Sequence, residues 1–119
     1  MLIVHFTEQT YQDPKHGIIG SPATDPELTN AIYDPEVGSR LYNRYIDEKL
    51  YAEEVGFEAL MMNEHHNIPF CMQSVTNVAL TILARQTSKV KLVPLGNPLP
   101  LWDDPLWLAI KNAASRMAN

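Results

Sequence analysis

What constrains this chain most is an alternation: short β-rich runs, each followed by a loop and then a stretch of helical periodicity. Asp34-Pro35 and Asp104-Pro105 mark two of the helix starts. Aspartate there can accept from the N–H groups that a first helical turn leaves unpaired, and proline is tolerated at the first helical position. Behind Asp34-Pro35-Glu36, residues Val37, Leu41, Tyr45, Ala52 and Val55 recur at helical spacing, and Gly56 suits the left-handed conformation that ends a helix. Val75, Val78, Ala79, Ile82 and Leu83 form the apolar stripe of a second helix over 75–86. A third helix runs from Asp104-Pro105 to about residue 117.

The strands are read over 2–7, 57–62 and 90–95. The middle run is almost continuously apolar, as in a strand covered on both faces. The order βαβαβα predicts parallel strands joined by right-handed crossovers. Three loops, 8–34, 63–74 and 96–104, follow strands and therefore gather at the carboxyl ends of the sheet, where α/β proteins keep their chemistry. The first is long and rich in turn formers (Pro14, Gly17, Gly20, Pro22, Pro26).

Composition narrows the function. The 119 residues make one domain. Fourteen acidic residues against nine basic ones leave a net charge of −5, which disfavours nucleic acid as a partner. No apolar run approaches the roughly 18 residues of a membrane span. The start, Met1-Leu2-Ile3-Val4, has no basic leader, so a cytoplasmic protein is expected. A lone cysteine, Cys71, excludes an internal disulfide and a cysteine-rich zinc site, and is read as a structural thiol. Met61 and Met62 are read as core, and Trp102 and Trp107 as packed against a neighbour. The glycine-rich dinucleotide and phosphate loops and the G-x-S-x-G elbow are absent.

Glu64-His65-His66, just past the second strand, is the densest group able to move protons near neutral pH. A hydrogen-bonded loop pair is the plainer reading of the same residues. A metal site on His5, Glu64 and His65 is an alternative, although the pattern lacks the one-turn histidine spacing of His-Glu-x-x-His. After the third strand, Gly96-Asn97-Pro98 offers close backbone approach and an amide, or simply a turn.

At these positions the chain resembles the bacterial luciferase-like flavin-dependent monooxygenases. Gly56-Phe57-Glu58-Ala59-Leu60-Met61-Met62-Asn63-Glu64-His65-His66 is similar to the family's second strand and loop. Leu95-Gly96-Asn97-Pro98-Leu99-Pro100-Leu101, then Asp104-Pro105-Leu106, is similar to its third, and His5-Phe6-Thr7-Glu8 to its first. The matches fall in order across nearly the whole chain. The resemblance implies an α/β fold, the N-terminal βαβαβα portion of a (β/α)8 TIM barrel, incomplete as it stands. It implies oxidation of a small organic substrate by reduced FMN and dioxygen, the reduced flavin being delivered by a separate reductase. His65 falls on the catalytic histidine. Glu64, His66, Leu95, Gly96 and Asn97 fall on the flavin site, with a non-proline cis peptide expected at Leu95–Gly96.

The match is lost after Ala109, and such a barrel needs about 250 residues. A premature end is the simplest account, which leaves the phosphate-binding strands outside residues 1–119 and independent activity in doubt. Val4, Phe6, Leu60, Met62 and Leu92 are expected to face the barrel interior and to lack partners, inviting self-association or pairing with a luciferase-like subunit. The alternative function is a non-enzymatic remnant or partner-binding fragment.

Overall fold

The computed structural model describes residues 1–15, 17–18, 29–66, 68–101 and 103–116, with backbone alone for 17–18 and 111–116. Its elements are β1 (Val4–His5), β2 (Gln12–Asp13), β3 (Gly17–Ile18), α1 (Pro35–Glu54), β4 (Ala59–Asn63), α2 (Thr76–Gln86), β5 (Lys91–Leu95) and α3 (Pro105–Arg116). Single 3-10 turns lie at Asn30–Ile32 and Leu99–Leu101. β1, β4 and β5 form one parallel sheet in the order β1-β4-β5, with His5 opposite Leu60 and Met62 opposite Pro94. The chain is therefore a small α/β domain of three parallel strands and three helices. No helix among the described residues is long and apolar enough to cross a membrane.

A small antiparallel hairpin, β2–β3, interrupts the stretch read as loop. Asp13 turns the chain there: its Oδ1 accepts from Lys15 N at 2.8 Å, an Asx turn that sequence alone leaves indistinct from other proline-containing turns. Gly20, Pro22, Pro26 and Trp102 lie outside the described residues. β1 is shorter than residues 2–7 because Ile3 leaves the ladder: its carbonyl accepts from Glu58 N and its N–H donates to the Glu58 carboxylate.

Both Asp-Pro starts form as the sequence predicts. Asp34 Oδ1 accepts from Glu36 N at 2.8 Å and Val37 N at 3.3 Å, and Asp104 Oδ1 accepts from Leu106 N at 2.8 Å. Gly56 closes α1 at φ +96°, a conformation that costs an L-residue roughly 1 kcal/mol or more. α1 buries Leu41, Tyr45 and Ala52 as predicted, but Val55 is exposed and Lys49 occupies the same buried stripe.

α2 corrects the predicted stripe. It buries Thr76, Asn77, Ala79, Leu80, Leu83 and Ala84, while Val75, Val78 and Ile82 stand exposed. Apolar residues surround most of this helix, so periodicity does not choose the face; the sheet does. α3 buries Leu108 and leaves Trp107 60% exposed, so Trp107 is not packed against a neighbour.

The main core joins Leu60 and Met62 of β4 to Ala52, Ala79, Leu80, Leu83 and Val90, with Ile46, Leu50, Phe57 and Leu92 against it. Leu60, Met62 and Leu92 thus face the helices and are satisfied there, which corrects the inward assignment. Strand alternation puts Val4, Met61 and Val93 on the opposite face, half-buried, and Leu95 beside them is 46% exposed. A run apolar at every position carries no alternation from which to choose a face. Tyr11, Leu41, Tyr45 and Met72 form a second cluster that ties the loops after β1 and β4 onto α1.

Candidate functional site

The loops after β1 and β4 are clamped to each other by backbone. Tyr11 N donates to Pro69 O at 2.8 Å, Met72 N to Gln9 O at 3.1 Å and His65 N to Gln73 O at 3.0 Å. Side chains reinforce this: Tyr45 Oη donates to Thr10 O at 2.6 Å and Tyr42 Oη to Met72 O. Gln9 is held at φ +54°, the left-handed region, immediately after Glu8.

The clamp gathers Glu8, His65 and Cys71. His65 Nε2 lies 3.8 Å from Glu8 Oε2, and the donor atoms of all three residues lie within 4.8 Å of one another. Asn63, at the end of β4, braces two of them: its amide nitrogen donates to Glu8, and its oxygen accepts from Cys71 Sγ at 3.4 Å. Burial pushes the Cys71 thiol above its ordinary pKa, and the Glu8 carboxylate adds to the rise against the lowering contacts to Gln73 and Asn63. The ring edge of Phe70 meets His65 with centroids 6.0 Å apart. A cleft of about 240 Å³ opens beside the cluster, lined by Tyr33, Tyr42, His65, Ile68, Cys71 and Ser74 among others.

The other residues singled out in the sequence have different partners. The Glu64 side chain is 2% exposed; its Oε1 sits 3.0 Å from His66 Nε2 and its Oε2 accepts from Thr76 N at 3.2 Å. Glu64 therefore caps α2, whose N-cap residue Val75 makes no side-chain cap bond. His66 pairs with Glu64 while His65 faces Glu8, so the adjacent histidines, each somewhat less than half exposed, have separate partners.

At the third strand, the Leu95–Gly96 peptide is trans, correcting the expected cis bond; Gly96 instead turns at φ +96° with open space where a side chain would stand. The glycine's own torsional freedom makes the turn. Asn97 Oδ1 accepts from Asn77 Nδ2 at 3.3 Å, and Asn77 Oδ1 is buried without a hydrogen bond among the described residues.

His5 does not join this site. It packs edge-on to Phe57, and its Nδ1 lies 3.4 Å from Nζ of Lys49, which also donates to Met61 O at 3.0 Å. The metal site read on His5, Glu64 and His65 is thereby dispersed over three environments. Burial and then the Lys49 ammonium lower the His5 pKa. Lys49 is 0% exposed, and burial brings its pKa from 10.5 to about 8.

Sequence reading missed Glu8, Asn63 and Cys71 as one group. Glu8 and Asn63 carried a signal, since both stand at strand ends like Glu64-His65. Cys71 carried none, because only the folded loop brings it back to β4.

Neither a family model nor a curated protein sequence matches the chain.

Proposed function

We propose that this chain forms the first three β/α units of a (β/α)8 barrel of the luciferase-like, flavin-dependent monooxygenase class. Its substrate is then a small organic molecule oxidised with reduced FMN and dioxygen, with a reductase supplying the flavin. The observation that carries the reading is the convergence of Glu8, Asn63 and His65 at the carboxyl ends of β1 and β4, beside the strand end that bears Gly96 and Asn97.

The residues present suit the ring of a flavin. Open space over Gly96, the half-buried apolar side chains of Met61 and Val93, and the exposed Leu95 offer a surface for a planar apolar group. Asn97 and the unsatisfied Asn77 amide oxygen add polar groups at its border. When bound, reduced flavin supplies the electrons and the site of dioxygen activation.

The chain's own part is proton handling and positioning. His65 holds or releases a proton at a ring nitrogen, and Glu8, braced by Asn63, stabilises the ring when it is protonated. Glu64 has a structural part, capping α2 and pairing with His66.

The 119 residues alone are expected to be inactive, so the test is made in a complete barrel that carries them as its first three β/α units: titration with reduced FMN, followed by dioxygen uptake in the presence of an aldehyde. Saturable flavin binding is expected, and His65→Ala should retain it while lowering turnover by ~10²–10⁴-fold. Absence of saturable flavin binding, or unchanged turnover in His65→Ala, overturns the proposal.

A further inference from the structure

We propose that Glu8, His65 and Cys71 form a binding site for a thiophilic divalent cation of the zinc class; a bound ion and the proton handling assigned to His65 above exclude each other, since both use the same imidazole and carboxylate. The three side chains supply one carboxylate oxygen, one imidazole nitrogen and one sulfur, a donor set suited to a borderline-soft ion. A tetrahedral ion with donors at ~2.0–2.3 Å separates them by roughly 3.3–3.8 Å. Glu8 and His65 already stand 3.8 Å apart, and the full set lies within 4.8 Å, so side-chain movements of about 1 Å close the site.

Three features distinguish this group from an incidental surface cluster. Asn63 contacts two of the three donors, the kind of outer support that orients metal ligands. The backbone clamp between residues 9–11 and 69–73 holds the donors on opposed segments, so the spacing does not depend on side-chain rotamers alone. The adjoining cleft lined by His65, Cys71, Ser74 and Tyr42 gives a fourth ligand, water or a small molecule, a route to the ion.

Charge also balances. The Cys71 thiol gives up its proton to enter the set, because the thiolate is the form of cysteine that ligates a metal. A divalent cation replaces that proton: the S–H bond breaks, a sulfur–metal bond forms, and one proton leaves to solvent. Neutral imidazole, carboxylate and thiolate then sum with the ion to zero. His66, engaged with Glu64, stays outside the set.

The test is titration of the untagged 119-residue chain with Co²⁺ under anaerobic conditions, then displacement by Zn²⁺. One Co²⁺ per chain is expected, with a near-ultraviolet sulfur-to-cobalt charge-transfer band that Zn²⁺ abolishes. Cys71→Ser should remove the band. Glu8→Gln and His65→Gln should each weaken binding by at least ~10-fold, while His66→Gln leaves it unchanged. The readout needs no flavin, so its failure and that of the monooxygenase reading are separable. Absence of the band in the unaltered chain overturns the proposal whatever the variants do. So does equal affinity in Glu8→Gln and His65→Gln, which means adventitious thiol binding only, or an equal loss in His66→Gln.

Discussion

Replacing Lys49 by methionine is expected to change sign with pH. Lys49 lies in the buried stripe of α1, and among the described residues no carboxylate stands within ion-pair distance of its Nζ. Burial, only partly offset by the Glu48 carboxylate, lowers its pKa from 10.5 to about 8. Between those values the unfolded chain holds a proton here that the folded chain lacks, so stability rises with pH across the window. Below about pH 8 both states are charged, and the folded state bears the full cost of ~3 kcal/mol. Methionine fills a similar volume without charge but removes the donor to Met61 O, a loss of ~1–2 kcal/mol. Lys49→Met should therefore be more stable than the parent by ~1–2 kcal/mol near neutral pH, and less stable by a similar amount near pH ~10.5, the curves crossing at roughly pH 9–10. Tyr42, Tyr45 and Cys71, all with pKa values raised by burial, titrate in the alkaline range of both proteins and cancel in the difference. Urea unfolding of both proteins across this range, followed by circular dichroism, measures it. A stability difference that is constant with pH refutes the buried-charge account.

Two further substitutions separate structural carboxylates from the candidate site. Glu53 Oε1 accepts from Ser88, Lys89 and Val90 N–H at 2.9, 2.6 and 3.3 Å, closing the turn into β5. Burial acts to raise its pKa, but those bonds outweigh it and the pKa is lowered; Glu53→Gln should cost ~1 kcal/mol at neutral pH after solvent screening. That stabilisation is present above the ordinary value of 4.5 and is lost as pH falls through the lowered one, so acid unfolding curves of the two proteins should converge there. Glu64→Ala should cost ~1–2 kcal/mol in urea unfolding by uncapping α2, and leave Co²⁺ binding unchanged; a matching loss of Co²⁺ affinity would place Glu64 among the ligands instead.

The parts of the fold legible in the sequence are those governed by local chemistry. Asp34 and Asp104 cap their helices through atoms two or three residues away, and Gly56 ends α1 through its own torsions. The parallel sheet follows from the order of elements, and so does the meeting of the loops after β1, β4 and β5 at one end. The same logic singled out His65 and the strand-end residues Gly96 and Asn97.

What failed were choices between faces. Leu60 and Met62 were placed inward, yet they pack on the helices, because an uninterrupted apolar strand offers both faces equally. Val78 and Ile82 were placed in the core for the same reason on α2. The candidate site shows this most clearly. Glu64, His65 and His66 are consecutive, but the chain sends Glu64 to the α2 N-terminus, His66 back to Glu64, and His65 across to Glu8 and Cys71.

The sequence by itself determined the alternation of strands and helices, the helix limits at Asp34, Gly56 and Asp104, and the end of the sheet where the loops after β1, β4 and β5 meet. Each of these depends on interactions spanning a few residues. Only the tertiary structure decided that Lys49 is buried, that His5 belongs to the helix layer, and that Glu8, Asn63, His65 and Cys71 form one group. Those outcomes rest on contacts across up to 55 residues of chain, such as Asn63 to Glu8, and their geometry exists only once the sheet has aligned the strands that carry them.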